Sequence, residues 1–157
     1  MEERWIFVLK LRNRPGVLSV VTSTFASRGV SLETLIAHDS IGLGEPLGTA
    51  VLTFSAAAKT KDHLARVLTR LAIVDDVREY RYADAEHARK SALARITLPA
   101  EELSRIIPVG VTFEIVREDP TEIVAIVLGP PPQVDTVIQD LLARGVLIAL
   151  DSTVIVV

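Results

Sequence analysis

The residues best suited to chemistry are consecutive: Asn13-Arg14-Pro15-Gly16-Val17-Leu18. They stand where an apolar run ends and a helical pattern begins. A helix start leaves backbone N–H groups unpaired and carries a partial positive charge, so it favours a carboxylate. Gly16 lets a ligand reach that backbone with no Cβ in the way. The Asn13 amide offers a donor and an acceptor, enough to orient the carboxylate or the ammonium of an amino acid. Val17 and Leu32 are small apolar neighbours that could take a short aliphatic side chain. These types point to non-covalent recognition of a small amino acid. The same spacing also suits an ordinary strand–helix turn, with Asn13 satisfying backbone groups and Gly16 merely packing.

Nothing else in the chain forms a reactive constellation. His38, His63 and His87 lie far apart, without a neighbour at ligand spacing, and read as surface histidines. Ser23, Ser27 and Ser31 lack a nucleophile elbow. Gly42-x-Gly44 has no phosphate-loop lysine behind it and reads as a flexible loop. Glu101-Glu102 suit the dipole of a short helix. Arg66, Arg70, Arg78 and Arg81 form a modest basic cluster, solvated or a docking face. The absence of cysteine excludes disulfides, thiolate metal sites and thiol catalysis, and fits a reducing cytoplasm. The expectation is no catalytic residue, no metal site and no cofactor.

Composition narrows the class further. Of 157 residues, 49% are hydrophobic, so the chain should fold. A net charge of −3 argues against nucleic acid as a partner. No apolar run approaches the roughly 18 residues that span a bilayer, so no membrane association is expected. Met1-Glu2-Glu3-Arg4 does not read as a signal peptide. Up to Asp84 there are 11 Lys/Arg against 10 Asp/Glu, whereas from Leu93 onward there are 4 against 9. Two modules with different surfaces would explain the contrast, as would chance.

The elements that must hold the turn follow from periodicity. Trp5 to Leu11 suits a buried central strand. Pro15 fits the first position of a helix, Leu18, Val21 and Phe25 recur at helical spacing, and Arg28-Gly29 closes it. Val30 to Ala37 reads as a strand, and Asp39 to Gly48 as a breaker-rich loop. Thr49 to Ser55 alternates as a strand, Lys61 to Leu71 is helical, and Val74 to Tyr82 is a strand whose charges place it near an edge. This order, βαββαβ, is the ferredoxin-like pattern. Residues 83–92 read as a linker or short helix. The order then recurs: strand Leu93–Leu98, helix Pro99–Ile106, strands Val111–Glu118 and Glu122–Leu128, helix Val134–Arg144, and closing strand Val146–Val157, with a bend at Asp151-Ser152 as one option. The predicted fold class is α+β, with two ferredoxin-like βαββαβ modules in tandem, residues 1–82 and 93–157.

Asn13-Arg14-Pro15-Gly16-Val17-Leu18 and Phe25-Ala26-Ser27-Arg28-Gly29-Val30-Ser31-Leu32-Glu33-Thr34-Leu35 resemble the ACT domain of the acetolactate synthase regulatory (small) subunit family. Its patterns there are Asn-x-x-Gly-x-Leu and Phe-x-x-Arg-Gly-x-Asn-Ile-x-Ser-Leu. The likeness continues from Leu64 to Tyr80, and Gly110 to Val157 is similar to that family's C-terminal domain. The resemblance implies a non-catalytic subunit that binds a branched-chain amino acid, usually valine, at a homodimer interface. It also implies a partner, the thiamine-diphosphate-dependent catalytic subunit of acetolactate synthase, which such a subunit activates and places under feedback control. By the resemblance, Asn13 and Gly16 match effector contacts. Ser31 stands where the family has a second Asn, and Thr49-Ala50 where it typically has Arg-Met. A hydroxyl cannot replace both functions of an amide.

The effector-binding set is therefore Asn13, Arg14, Pro15, Gly16, Val17, Leu18, Ser31 and Leu32. In this fold the second strand is a sheet edge with few charges, open to the same strand of a twofold mate. An alternative reading is a stand-alone ACT-type amino-acid sensor with another effector or partner enzyme.

Overall fold

A computed structural model describes residues 1–39, 47–84 and 86–156. The chain divides into two compact units, Met1–Asp84 and Ala85–Val157. In the first, β1 (Glu2–Arg12), α1 (Val17–Ala26), β2 (Leu32–Asp39), β3 (Leu47–Ala57), α2 (Ala58–Thr69) and β4 (Val74–Arg81) form one four-stranded sheet with two helices. The strand order is β2-β3-β1-β4, and every pair is antiparallel. The apolar run of β1 therefore lies centrally, and charged β4 lies at an edge. Of the loop expected at Asp39–Gly48, Asp39 belongs to β2 and Leu47 and Gly48 to β3; residues 40–46, with Gly42 and Gly44, lie outside the described residues.

Alternation along the strands sends Phe7, Leu9 and Leu11 of β1 and Leu52 and Phe54 of β3 to the helix-covered face. There they bury with Val21 and Phe25 of α1 and Leu64 and Leu68 of α2. Phe7, Phe25 and Phe54 meet edge to face, with ring centroids 4.8–6.3 Å apart. All three are fully buried, and each burial contributes about 1.5–3 kcal/mol. This cluster packs the C-terminal end of α1 onto the middle of β1 and onto β3.

The second unit repeats the architecture. It comprises β5 (Ala88–Ile96), α3 (Ala100–Ile106), β6 (Thr112–Glu118), β7 (Ile123–Gly129), α4 (Pro131–Ala143) and β8 (Leu147–Val156), in strand order β6-β7-β5-β8. Its core gathers Ala92, Ala94 and Ile96 with Leu103, Ala125, Val127, Val134, Val137 and Leu141. The architecture is α+β in both units, each ferredoxin-like. β5 begins at Ala88, so residues 88–92, expected as linker or helix, are strand. Lys90 sits on the core-facing side, where its Nζ reaches Asp135 at 2.6 Å. β8 runs unbroken through Asp151-Ser152 rather than bending there.

Candidate functional site

The turn between β1 and α1 departs from the expected cap. Pro15 is not the first helical residue; α1 begins at Val17, and Gly16 is its N-cap at φ 84°, ψ −3°. That left-handed conformation is what glycine supplies without penalty. A Cβ built on Gly16 would meet nothing within 4 Å, so the approach to this backbone is open. Asn13, Arg14, Pro15 and Gly16 are all exposed, and Val17 and Leu18 are half-buried against the core.

The start of α1 lacks the usual satisfiers. No side chain caps it, and its first turn holds no acidic residue. Two backbone bonds, Val17 N–H to Arg14 O at 3.3 Å and Val20 N–H to Gly16 O at 3.2 Å, close the turn. A ten-residue helix with an open, uncapped start retains the electrostatic preference for an anion that its dipole gives. The other end is sealed: Gly29 at φ 67°, the Val30 N–H to Phe25 O bond and Arg28 Nη1 to Thr24 O at 2.9 Å occupy it.

Within one chain the eight expected residues fall into two groups that the fold holds apart. Asn13 to Leu18 follow Arg12, which pairs with Leu47 at the far end of β3. Leu32 pairs instead with Phe54, which also pairs with Trp5 at the opposite end of the sheet. From Trp5 to Asn13 is eight residues along an extended chain, roughly 26 Å. Ser31 and Leu32 therefore sit at the other end of the sheet from Asn13. The adjacent Glu33 is held at that end by Arg4 Nη2, 2.6 Å from its Oε2, and by Ser55 Oγ donating to its Oε1 at 2.7 Å. Sequence spacing carried no sign of this separation.

Two of the clefts among the described residues lie elsewhere. One, about 470 Å³, opens between α2 and β4 at Asp62, Arg66, Arg70 and Glu79. The other, about 430 Å³, lies in the second unit between Thr97-Leu98-Pro99 and Glu118–Ile123. Neither includes a residue of the Asn13–Leu18 turn. Among the described residues, no group of three or more His, Asp or Glu side chains is placed to hold a metal ion, and no helix is long and apolar enough to cross a membrane. His38 is exposed, with Nδ1 3.3 Å from its neighbour's carbonyl.

No protein-family model matches the sequence, and neither does any curated protein. Solved structures do match. The small subunit of acetolactate synthase from Thermotoga maritima superposes with a TM-score of 0.75 at 18% identity, over 98% of this chain and 96% of that one. The chain has the fold of an acetolactate synthase small subunit. The resemblance read from the Asn13 and Phe25 segments and the superposition thus agree on one family's fold, across both units. The ligand-free regulatory subunit of aspartate kinase from Thermus thermophilus matches at a TM-score of 0.47 and 14% identity, over 87% of this chain and 89% of that one.

Proposed function

We propose that the chain is a non-catalytic regulatory subunit that binds a branched-chain amino acid such as valine and thereby modulates a catalytic acetolactate synthase subunit. The effector site combines Asn13, Arg14, Pro15, Gly16, Val17 and Leu18 of one chain with Ser31 and Leu32 of a second. The observation that carries this reading is the roughly 26 Å separation of those two groups along a sheet whose β2 is a free edge. Antiparallel pairing of two β2 strands about a twofold would turn the second chain's Ser31 end toward the first chain's Asn13 end. Half-sites at opposite ends of a sheet with an open edge make sense in a dimer.

The uncapped start of α1 would take the effector's carboxylate, the Asn13 amide would orient it, and Val17 and Leu32 would flank a short aliphatic side chain. Ser31 offers only a hydroxyl, so the second half-site is less polar and shorter in reach than an amide would make it. A ligand shared by two chains biases their arrangement through its differential affinity for the alternatives, and a catalytic partner can read that bias.

The test is calorimetry and thermal unfolding with each of the twenty amino acids at millimolar concentration. Valine or a close relative should raise the melting temperature; a ligand at 100 times its Kd stabilises by about 2.7 kcal/mol. Gly16→Asp should abolish the rise, because its carboxylate would compete for the anion site. Absence of heat with every amino acid would overturn the effector assignment. Capture from native cells should recover a thiamine-diphosphate carboligase; recovery of a different enzyme would favour the stand-alone sensor, which the serine at position 31 also motivates.

A further inference from the structure

A strand edge left bare invites another strand, so proteins block edges with charge, register breaks or cover. In the first unit, β4 is blocked by Asp75, Asp76, Arg78, Glu79 and Arg81. In the second, β6 carries Glu114, Arg117 and Glu118 and breaks register between Ile115 and Arg117. β8 is defended less: its one register break falls near its start, between Leu147 and Ala149, and the rest of the strand is regular. Its ten residues, Leu147–Val156, include one charge, Asp151, and no proline. Ile148, Leu150 and Ile155 are 43%, 40% and 50% exposed, so the strand presents apolar side chains as well as unpaired backbone.

We propose that β8 pairs antiparallel with β8 of a second copy of this chain, about a twofold centred on Ser152. The occupant follows from self-complementarity. Opposed residues of an antiparallel pair point to the same sheet face, so a twofold normal to the sheet must pass through a residue rather than between two. Centring on Asp151 would set two carboxylates directly opposite each other, which is repulsive. Centring on Ser152 sets Asp151 against Thr153, Leu150 against Val154, and Ala149 against Ile155. The bulky, exposed Ile155 then lies beside a small alanine, and Leu150 gains a second apolar neighbour. Along this stretch β8 is regular: Ala149 to Val156 pair with β5 in unbroken register, the one shift falling beyond Arg95. This seam is independent of the effector site, which lies on β2 and the Asn13 turn.

The chain has no cysteine, so single cysteine variants report the register directly. In the Ser152-centred pair the two Ser152 Cα atoms lie about 4.5–5.5 Å apart, within disulfide reach. The two Asp151 positions are diagonal, about 7–8 Å apart, outside it. Under mild oxidation at micromolar concentration, Ser152→Cys should form covalent dimers at least tenfold faster than Asp151→Cys. Adding Ile155→Lys to Ser152→Cys should slow cross-linking severalfold, whereas Val20→Lys, on the exposed side of α1, should not. Equal rates for the two cysteine variants, or faster reaction at Asp151→Cys, would overturn the proposal. So would a Ser152→Cys rate that Ile155→Lys leaves unchanged.

Discussion

Two residues give the first unit measurable signatures. Gly16 adopts φ 84° in open space, so Gly16→Ala meets backbone strain with no steric clash. A left-handed non-glycine residue costs about 1–2 kcal/mol, and a small domain loses about 4–8 °C in melting temperature per kcal/mol. Calorimetry should show that drop; an unchanged melting temperature would mean the turn is not left-handed. Lys61 supplies a pH signature. Burial disfavours its ammonium, but hydrogen bonds to Asp62 and Glu79, with their charges, outweigh burial and lift its pKa above the ordinary 10.5. A group whose folded pKa exceeds its unfolded one contributes stability below the unfolded value and loses it as pH climbs through the folded one. Urea midpoints of the wild type should therefore fall above about pH 10.5 more steeply than those of Lys61→Met. Lys61 Nζ lies 4.9 Å from the ring centre of Trp5, the sole tryptophan, whose fluorescence can follow the transition.

At the scale of elements, the end of β7 packs tightly against the residues that lead into β6. A Cβ on Gly129 would stand 2.8 Å from Val111 Cγ2 and 3.2 Å from Gly110 O. Gly129→Ala should overpack this corner and cost about 1–3 kcal/mol, read as a lower urea midpoint. Faster hydrogen exchange in β7 and α4 should accompany it. The sequence made the order of elements legible because apolar periodicity switches cleanly between two and 3.6 along the chain. Boundaries failed where tertiary contacts decide them. The alternation Ala88-Lys90-Ala92 was hidden because its core-facing lysine is paired with Asp135 on α4, a partner 45 residues away. Pro15 suggested a helix start that Gly16 pre-empts, since a left-handed N-cap shifts the first helical residue to Val17. The Asn13 turn was legible as a potential anion site from residue types alone. Its distance from Ser31 and Leu32 was not, because register belongs to the sheet and no local pattern encodes it.

For the whole molecule, the two proposed seams, at β2 and at β8, would have different jobs, one carrying the effector and one only joining copies. A lysine at an exposed edge position blocks strand addition at small cost to the isolated fold. Ala37 on β2 and Ile155 on β8 are both exposed, so each seam can be closed alone. Ala37→Lys should remain assembled through β8 yet lose the valine-induced rise in melting temperature, because its two half-sites no longer meet. Ile155→Lys should remain assembled through β2 and keep that rise. The double variant should sediment as a monomer at micromolar concentration. A monomer from Ala37→Lys alone would remove the β8 seam, and a monomer from Ile155→Lys alone would remove the β2 seam. An effector response that survives Ala37→Lys would place the ligand within one chain, where the strand register holds Asn13 and Ser31 at opposite ends of the sheet.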